Sequence, residues 1–195
     1  MDSRGSSGAE VDVKSRETVA FDKSLQWIAG DVEQERKAAG GRLVRIYLML
    51  ESHREQQRAR ELATERGYAD AAGTGSGPSG DAGGQGYRHV SSKDLVREEL
   101  VAALDMPTRR VGDMIDLAIT LHERARAVLE AMLAGLIDET RARRILQRLR
   151  GVECDETCDR IAREVMDQYT RERAAGRLFS TEAVRTMVDE AVAQH

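Results

Sequence analysis

Residues Glu99 to Ile115 read ELVAALDMPTRRVGDMI: a short apolar run, a break at Asp105-Met106-Pro107, and a second run that opens on two arginines. Pro107 lacks the N–H that a continuing helix needs and biases Met106 toward extended backbone, so the break separates two helices. Helices joined by so short a turn form either a helix-turn-helix that reads DNA or a hairpin of two packed helices. In the DNA-reading register a small residue sits in the first helix, Gly in the turn and an apolar residue in the second helix. Here these places fall on Val101, Asp105 and Val111, with Leu104, Met106 and Ile115 as core, so two of the three depart from preference. The start of the second helix would offer Pro107, Thr108, Arg109, Arg110, Gly112 and Asp113 to a duplex. Thr108, Arg109 and Arg110 suit phosphates or a guanine edge, whereas Asp113 would face the phosphates unfavourably. Both readings stay open, and Asp113 with the two departures weighs toward the hairpin.

Downstream, Val111, Met114, Ile115, Ala118, Leu121, Ala125, Val128, Leu129 and Met132 recur at three- and four-residue steps until Gly135, which predicts one long spine helix from Thr108. Asp138 then caps ETRARRILQRLR with Gly151 as its stop, Asp155 begins DETCDRIAREVMDQYTRER with Ile161, Val165 and Tyr169 on one face, and Ser180 opens a last helix. Upstream, Ser91 or Ser92 caps a helix from Lys93 to about Asp105. Before it, GYADAAGTGSGPSGDAGGQG from Gly67 to Gly86 has the composition of a flexible linker. A phosphate-loop reading of that run finds neither a following Gly-Lys-Ser/Thr nor a preceding strand. Earlier still, Phe21, Leu25, Ile28 and Val32, then Ala39, Leu43, Ile46 and Leu50, form a helical stripe, with Gly40-Gly41 as a place for an interruption.

The expected fold is therefore all-α: a disordered tail over 1–15, a long N-terminal helical arm over 16–66, a Gly-rich flexible linker over 67–88 and a compact helical bundle domain over 89–195. Composition agrees, since Ala, Leu, Arg and Glu dominate, Asn is absent and only 2 prolines occur. A formal net charge of -4 argues against a protein that coats DNA generally, so any DNA contact needs a local basic patch. Only Lys14, Lys23, Lys37 and Lys93 are lysines among 30 basic residues, an Arg bias that fits a GC-rich genome before it argues for nucleic acid. The N-terminus lacks an apolar signal region and the longest apolar run, Ile46 to Leu50, is far too short to span a bilayer, which leads to the expectation of a cytoplasmic protein with reduced thiols and no membrane partner.

The run ELVAALDMPTRRVGDMIDLAITLHERARAVLEAMLAGLIDETRARRIL resembles the actinobacterial family called domain of unknown function 222, usually the N-terminal part of HNH endonuclease-like proteins. The matching features are an Ala- and Leu-rich helix before a Pro-started turn, a long Ala/Leu helix, and LAGLIDETRAR from Leu133 to Arg143. The likeness covers about Leu43 to Ala193, and Glu99 to Arg150 is its most specific part. The resemblance implies a module that accompanies a nuclease. An HNH centre needs a base His, a metal-binding His and a structuring Asn around one phosphate. This chain has no Asn, and His53, His89, His122 and His195 lie far apart, so the nuclease motif is absent here and would lie beyond residue 195.

Further candidate sites are few. Arg141, Arg144 and Arg148 share one face of the predicted helix ETRARRILQRLR, with Arg143 and Arg150 nearby, and would either track phosphates or pair with acids such as Glu139 and Glu153. Cys154 and Cys158 are two ligands where zinc wants four, so no metal and no cofactor is expected, and a buried or idle thiol is the plainer reading. His122 shows no catalytic partner, and Trp27 and Tyr47 read as core or interface aromatics. No catalytic residue set emerges. Two functions remain: a noncatalytic, double-stranded-DNA-associated module using Thr108, Arg109, Arg110, Arg141, Arg144 and Arg148, or a helical interaction module whose segment 16–66 binds a second copy or another helical protein.

Overall fold

The computed structural model describes residues 7–73, 90–177 and 179–195, and within the first helix the side chains of residues 22–64. Seven helices follow one another: α1 Ser7–Gly73, α2 Ser92–Leu104, α3 Thr108–Arg124, α4 Arg126–Leu133, α5 Glu139–Leu149, α6 Asp155–Ala174 and α7 Thr181–Gln194. No strand occurs among the described residues, and no described helix is long and apolar enough to cross a membrane. The chain is an all-α bundle.

The caps follow the sequence signals. Ser91 Oγ accepts from Asp94 N at 3.1 Å to start α2, Asp138 Oδ1 accepts from Arg141 N at 2.8 Å to start α5, and Ser180 Oγ accepts from Ala183 N at 3.1 Å to start α7. Of the two serines at α2, Ser91 is the cap, while buried Ser92 donates its hydroxyl to Gln57 Oε1 on α1 at 2.6 Å. Gly135 ends α4 with φ of 73°, and Leu136 N reaches back to Ala131 O at 2.9 Å. That bond pattern needs a left-handed residue, which glycine adopts without steric cost.

One core gathers residues from all seven helices. α1 packs on α2, α3 and α4, α6 packs on α4 and α7, and α5 packs on α7. Leu43, Ile46 and Leu50 of α1 are as buried as Val111, Ile115 and Leu121 of α3. The expected separation of an arm over 16–66 from a domain over 89–195 is therefore corrected: the middle of α1 is part of the bundle core. The sequence hides this because the glycine-rich stretch interrupts the chain but not the packing.

Helix boundaries in the N-terminal half also shift. α1 runs from Ser7, where a tail was expected over 1–15, and on to Gly73, where the linker was expected from 67. Once a helix is nucleated and held by packing, each added residue gains a hydrogen bond, and Ala69, Ala71 and Ala72 favour propagation. The rest of the expected linker, 74–88, and residues 1–6 lie outside the described residues. Gly40 and Gly41 do not interrupt α1. A Cβ built on Gly40 would sit 3.1 Å from Leu133 N and 3.2 Å from the Met132 carbonyl carbon, so this glycine lets α1 and α4 approach closely.

The expected spine helix is two helices. Ala125, fully buried, takes φ of -147° and ψ of 55° and separates α3 from α4. No glycine or proline marks the break. Its cause is tertiary: Arg126 N donates to Asp159 Oδ1 on α6 at 2.9 Å, so a distant carboxylate serves as the N-terminal cap of α4. Arg124, the last residue of α3, anchors the same corner through Asp155 Oδ1 and the Val152 carbonyl, each at 2.5 Å.

Candidate nucleic-acid interface and the projecting helix

At the turn between α2 and α3, Asp105 adopts φ of 50° and ψ of 44°, the left-handed conformation for which a helix-turn-helix ordinarily uses glycine. Pro107 precedes the first residue of α3 with no side-chain cap, and Val111 N bonds the Pro107 carbonyl at 3.2 Å. Of the three expected core residues, Ile115 is fully buried and Met106 half-buried, but Leu104 is 37% exposed, because it ends α2 on the side facing away from the bundle. Thr108, Arg109 and Arg110 are exposed, and neither arginine takes part in an ion pair among the described residues.

What surrounds them decides how they can act. Arg109, Asp113 and Asp116 follow one another at helical spacing on the exposed side of α3, and Asp116 is bridged by Lys93 Nζ of α2 at 2.5 Å. A phosphate approaching this face meets two carboxylates for every two free guanidinium groups. α2 adds Asp94 and Glu98, with Arg97 between them, around a pocket that Thr108 also lines. A cleft of about 520 Å³ between α3, α5 and α6 has Asp113 and Asp116 on one wall and Arg143 and Arg150 on another. Charge of mixed sign focuses no field for a polyanion.

The second basic patch is largely used internally. The Arg141 guanidinium binds the Asp138 carboxylate and reaches the Phe179 carbonyl at 3.3 Å, tying the start of α5 to the approach to α7. Arg148 Nε binds Asp189 Oδ1 of α7 at 2.5 Å, and Arg143 binds Glu139 at 2.8 Å. Arg141 and Arg148 thus tie helices together, and the acids that hold them are Asp138 and Asp189 rather than Glu153. Arg144 stays exposed with no ion pair among the described residues.

The remaining candidates resolve individually. Cys158 is buried, and burial pushes its thiol up. Cys154 is exposed at the start of α6, where the Thr157 and Glu156 backbone N–H groups and the Thr157 hydroxyl hold its thiol below the ordinary value. No group of three potential metal ligands occurs among the described residues. His122 has a partner that the sequence did not reveal: its ring stacks on Tyr47 of α1 with centroids 3.9 Å apart and planes within 2°.

Burial holds the His122 pKa below its ordinary 6.5, with Arg126 pushing the same way against Glu123 and Glu51. The unfolded chain then binds a proton near that ordinary value, whereas the folded chain binds it only at lower pH. Stability from the neutral ring is complete above about pH 6.5 and declines as pH falls through the window beneath it. Thermal melts at about pH 7.5 and about pH 5.5 check this: the acid-side loss of Tm is expected in the native chain and reduced in His122→Gln.

The feature with no internal use is on α1. Every described residue from Asp22 to Glu35 is exposed, including Leu25 at 49%, Trp27 at 76%, Ile28 at 59% and Val32 at 36%. Leu25, Ile28 and Val32 stand eighteen residues before Leu43, Ile46 and Leu50, which is five turns of an α-helix, so both trios point to the same side. The later trio is sealed by α2, α3 and α4, while the earlier one continues past the bundle edge. Periodicity showed the stripe but gave no means of telling its covered half from its uncovered half. Trp27, expected as core or interface, is not core.

Searches of protein-family models, curated proteins and solved structures find no match to this chain.

Proposed function

We propose that this chain is a cytoplasmic, noncatalytic helical association module whose bundle presents residues 22–35 of α1 to another helix. The observation that carries the reading is the exposed trio Leu25, Ile28 and Val32, in phase with a trio that the bundle buries. A helix face repeating the pattern of its own buried segment is suited to the same kind of cover, and exposed apolar patches of a few hundred Å² mark interaction sites. The likeness of Glu99 to Arg150 to the modules that accompany HNH endonucleases agrees with an accessory rather than a catalytic part.

DNA association is the second reading, supported by the left-handed Asp105 and by the unpaired Arg109 and Arg110. Against it stand Asp113 and Asp116 on the same helix and the internal use of Arg141 and Arg148. Fluorescence anisotropy with duplex DNA at low and moderate salt separates the two. The expected result is no salt-sensitive binding, with Arg109→Glu/Arg110→Glu behaving like the native chain. Binding that weakens steeply with salt and disappears in that variant overturns the association reading in favour of the DNA one.

A further inference from the structure

We infer that the cleft between α3, α5 and α6 binds a small zwitterion of the dipeptide class, with Asp113 taking its ammonium group and Arg150 its carboxylate. No residue of α1 lines this cleft, so the site is independent of the exposed stripe and of the association reading.

Most of the charge in the cleft is already held by the fold. Lys93 bridges Asp116, Glu139 holds Arg143, and Arg124 binds Asp155 and the Val152 carbonyl. Asp113 of α3 and Arg150, at the end of α5, are exposed and have no hydrogen bond or ion pair among the described residues. No ion pair joins the two walls across the cleft among those residues either. An acid and a base left unjoined in one cleft select against ions of a single sign. A simple anion attracted by Arg150 is repelled by Asp113, and a simple cation meets the reverse. A molecule carrying both charges gains at each end.

The rest of the lining says what lies between those charges. Leu117, Leu149 and Cys158 are buried and Leu146 is half-buried, so the floor is apolar and suits an apolar body. Two polar groups accompany that floor. Thr120 donates its hydroxyl to the Asp116 carbonyl at 2.8 Å, which leaves its oxygen free to accept. Gln147 has no partner among the described residues and can both donate and accept. An amide N–H and C=O in the middle of the ligand match these two side chains. A free dipeptide with apolar side chains has the parts in this order: ammonium, amide, carboxylate. A single amino acid lacks the amide. The cleft volume of about 520 Å³ falls in the range of small-molecule sites.

Saturation-transfer NMR of the full chain with a set of free dipeptides built from Ala, Val, Leu and Phe finds the binders, and calorimetric titration of the strongest measures them. The expected dissociation constant is about 0.2 mM, which a ligand of that size reaches at ordinary efficiency. Acetylating its ammonium group or amidating its carboxylate should each weaken binding about three- to tenfold, the range for one charge-assisted contact in an open site. The variants place the two ends. Asp113→Asn should weaken the free and the amidated dipeptide yet bind the acetylated one as the native chain does, and Arg150→Gln should show the mirror pattern. Both variants should melt as the native chain does, because neither side chain has a partner in the fold. No binding by any member of the set, blocked dipeptides that bind as tightly as free ones, or variants that change every form equally or none overturns the inference. None of these outcomes bears on whether residues 22–35 of α1 meet another helix.

Discussion

A chain beginning at residue 67 is expected to lose cooperative thermal unfolding altogether, although it retains α2 to α7. The reason lies in what α1 contributes. Leu43, Ile46 and Leu50 are each at most 3% exposed, and Ala39, Val44, Tyr47 and Met49 pack around them. Fully burying one large aliphatic side chain is worth about 1.5–3 kcal/mol, so the three together supply roughly 5–9 kcal/mol, comparable with the whole stability of a domain of this size. Removing α1 also strips its cover from α2, α3 and α4, Met132 included, and leaves Ser92 without its Gln57 partner. A chain beginning at residue 33 is the matching control. Among the described residues it discards none of the bundle core, keeps Arg36 against the Gly135 carbonyl and Lys37 against Glu33, and should melt within a few degrees of the full chain. Were α1 an independent arm, the chain from residue 67 would melt as the full protein does, and differential scanning calorimetry of the three chains decides between the two outcomes.

That contrast shows what the sequence could and could not convey. Helix identity was legible wherever a local signal existed: Asp138 and Ser180 as caps, Gly135 as a stop, and the apolar periodicity of α3, α5, α6 and α7. The break at Ala125 was not legible, because its cap is the Asp159 carboxylate, thirty-three residues away. Asp105 was read as a departure from the glycine of a DNA-reading turn, yet its backbone adopts the conformation that glycine would supply. The basic patches looked equivalent as sequence. Only the positions of Asp138, Asp189 and the Phe179 carbonyl separate the committed Arg141 and Arg148 from the free Arg109, Arg110 and Arg144. Stacking of His122 on Tyr47 joins residues seventy-five positions apart and leaves no trace in local pattern.

The adjacent glycines of α1 should respond to substitution with opposite signs. Both lie inside one continuous helix, where glycine costs about 0.5–1 kcal/mol relative to alanine, so helix propensity alone predicts stabilisation at either position. At Gly41 nothing stands within 4 Å of a built Cβ, and Gly41→Ala should recover that difference, raising Tm by about 1–4 °C. At Gly40 the nearest atoms belong to the backbone of Met132 and Leu133, where α4 turns into its left-handed stop, and backbone cannot move aside as a flexible side chain can. Gly40→Val adds two further methyl groups to that contact, forcing α1 and α4 apart and loosening Leu43 and Met132 together. The expected cost is about 2–3 kcal/mol, net of the propensity gain, seen as a large fall in Tm and in the urea midpoint. The pair also tests the place of α1 in the core: a helix merely resting beside the bundle would be stabilised by both changes, and only one locked against α4 distinguishes residue 40 from residue 41.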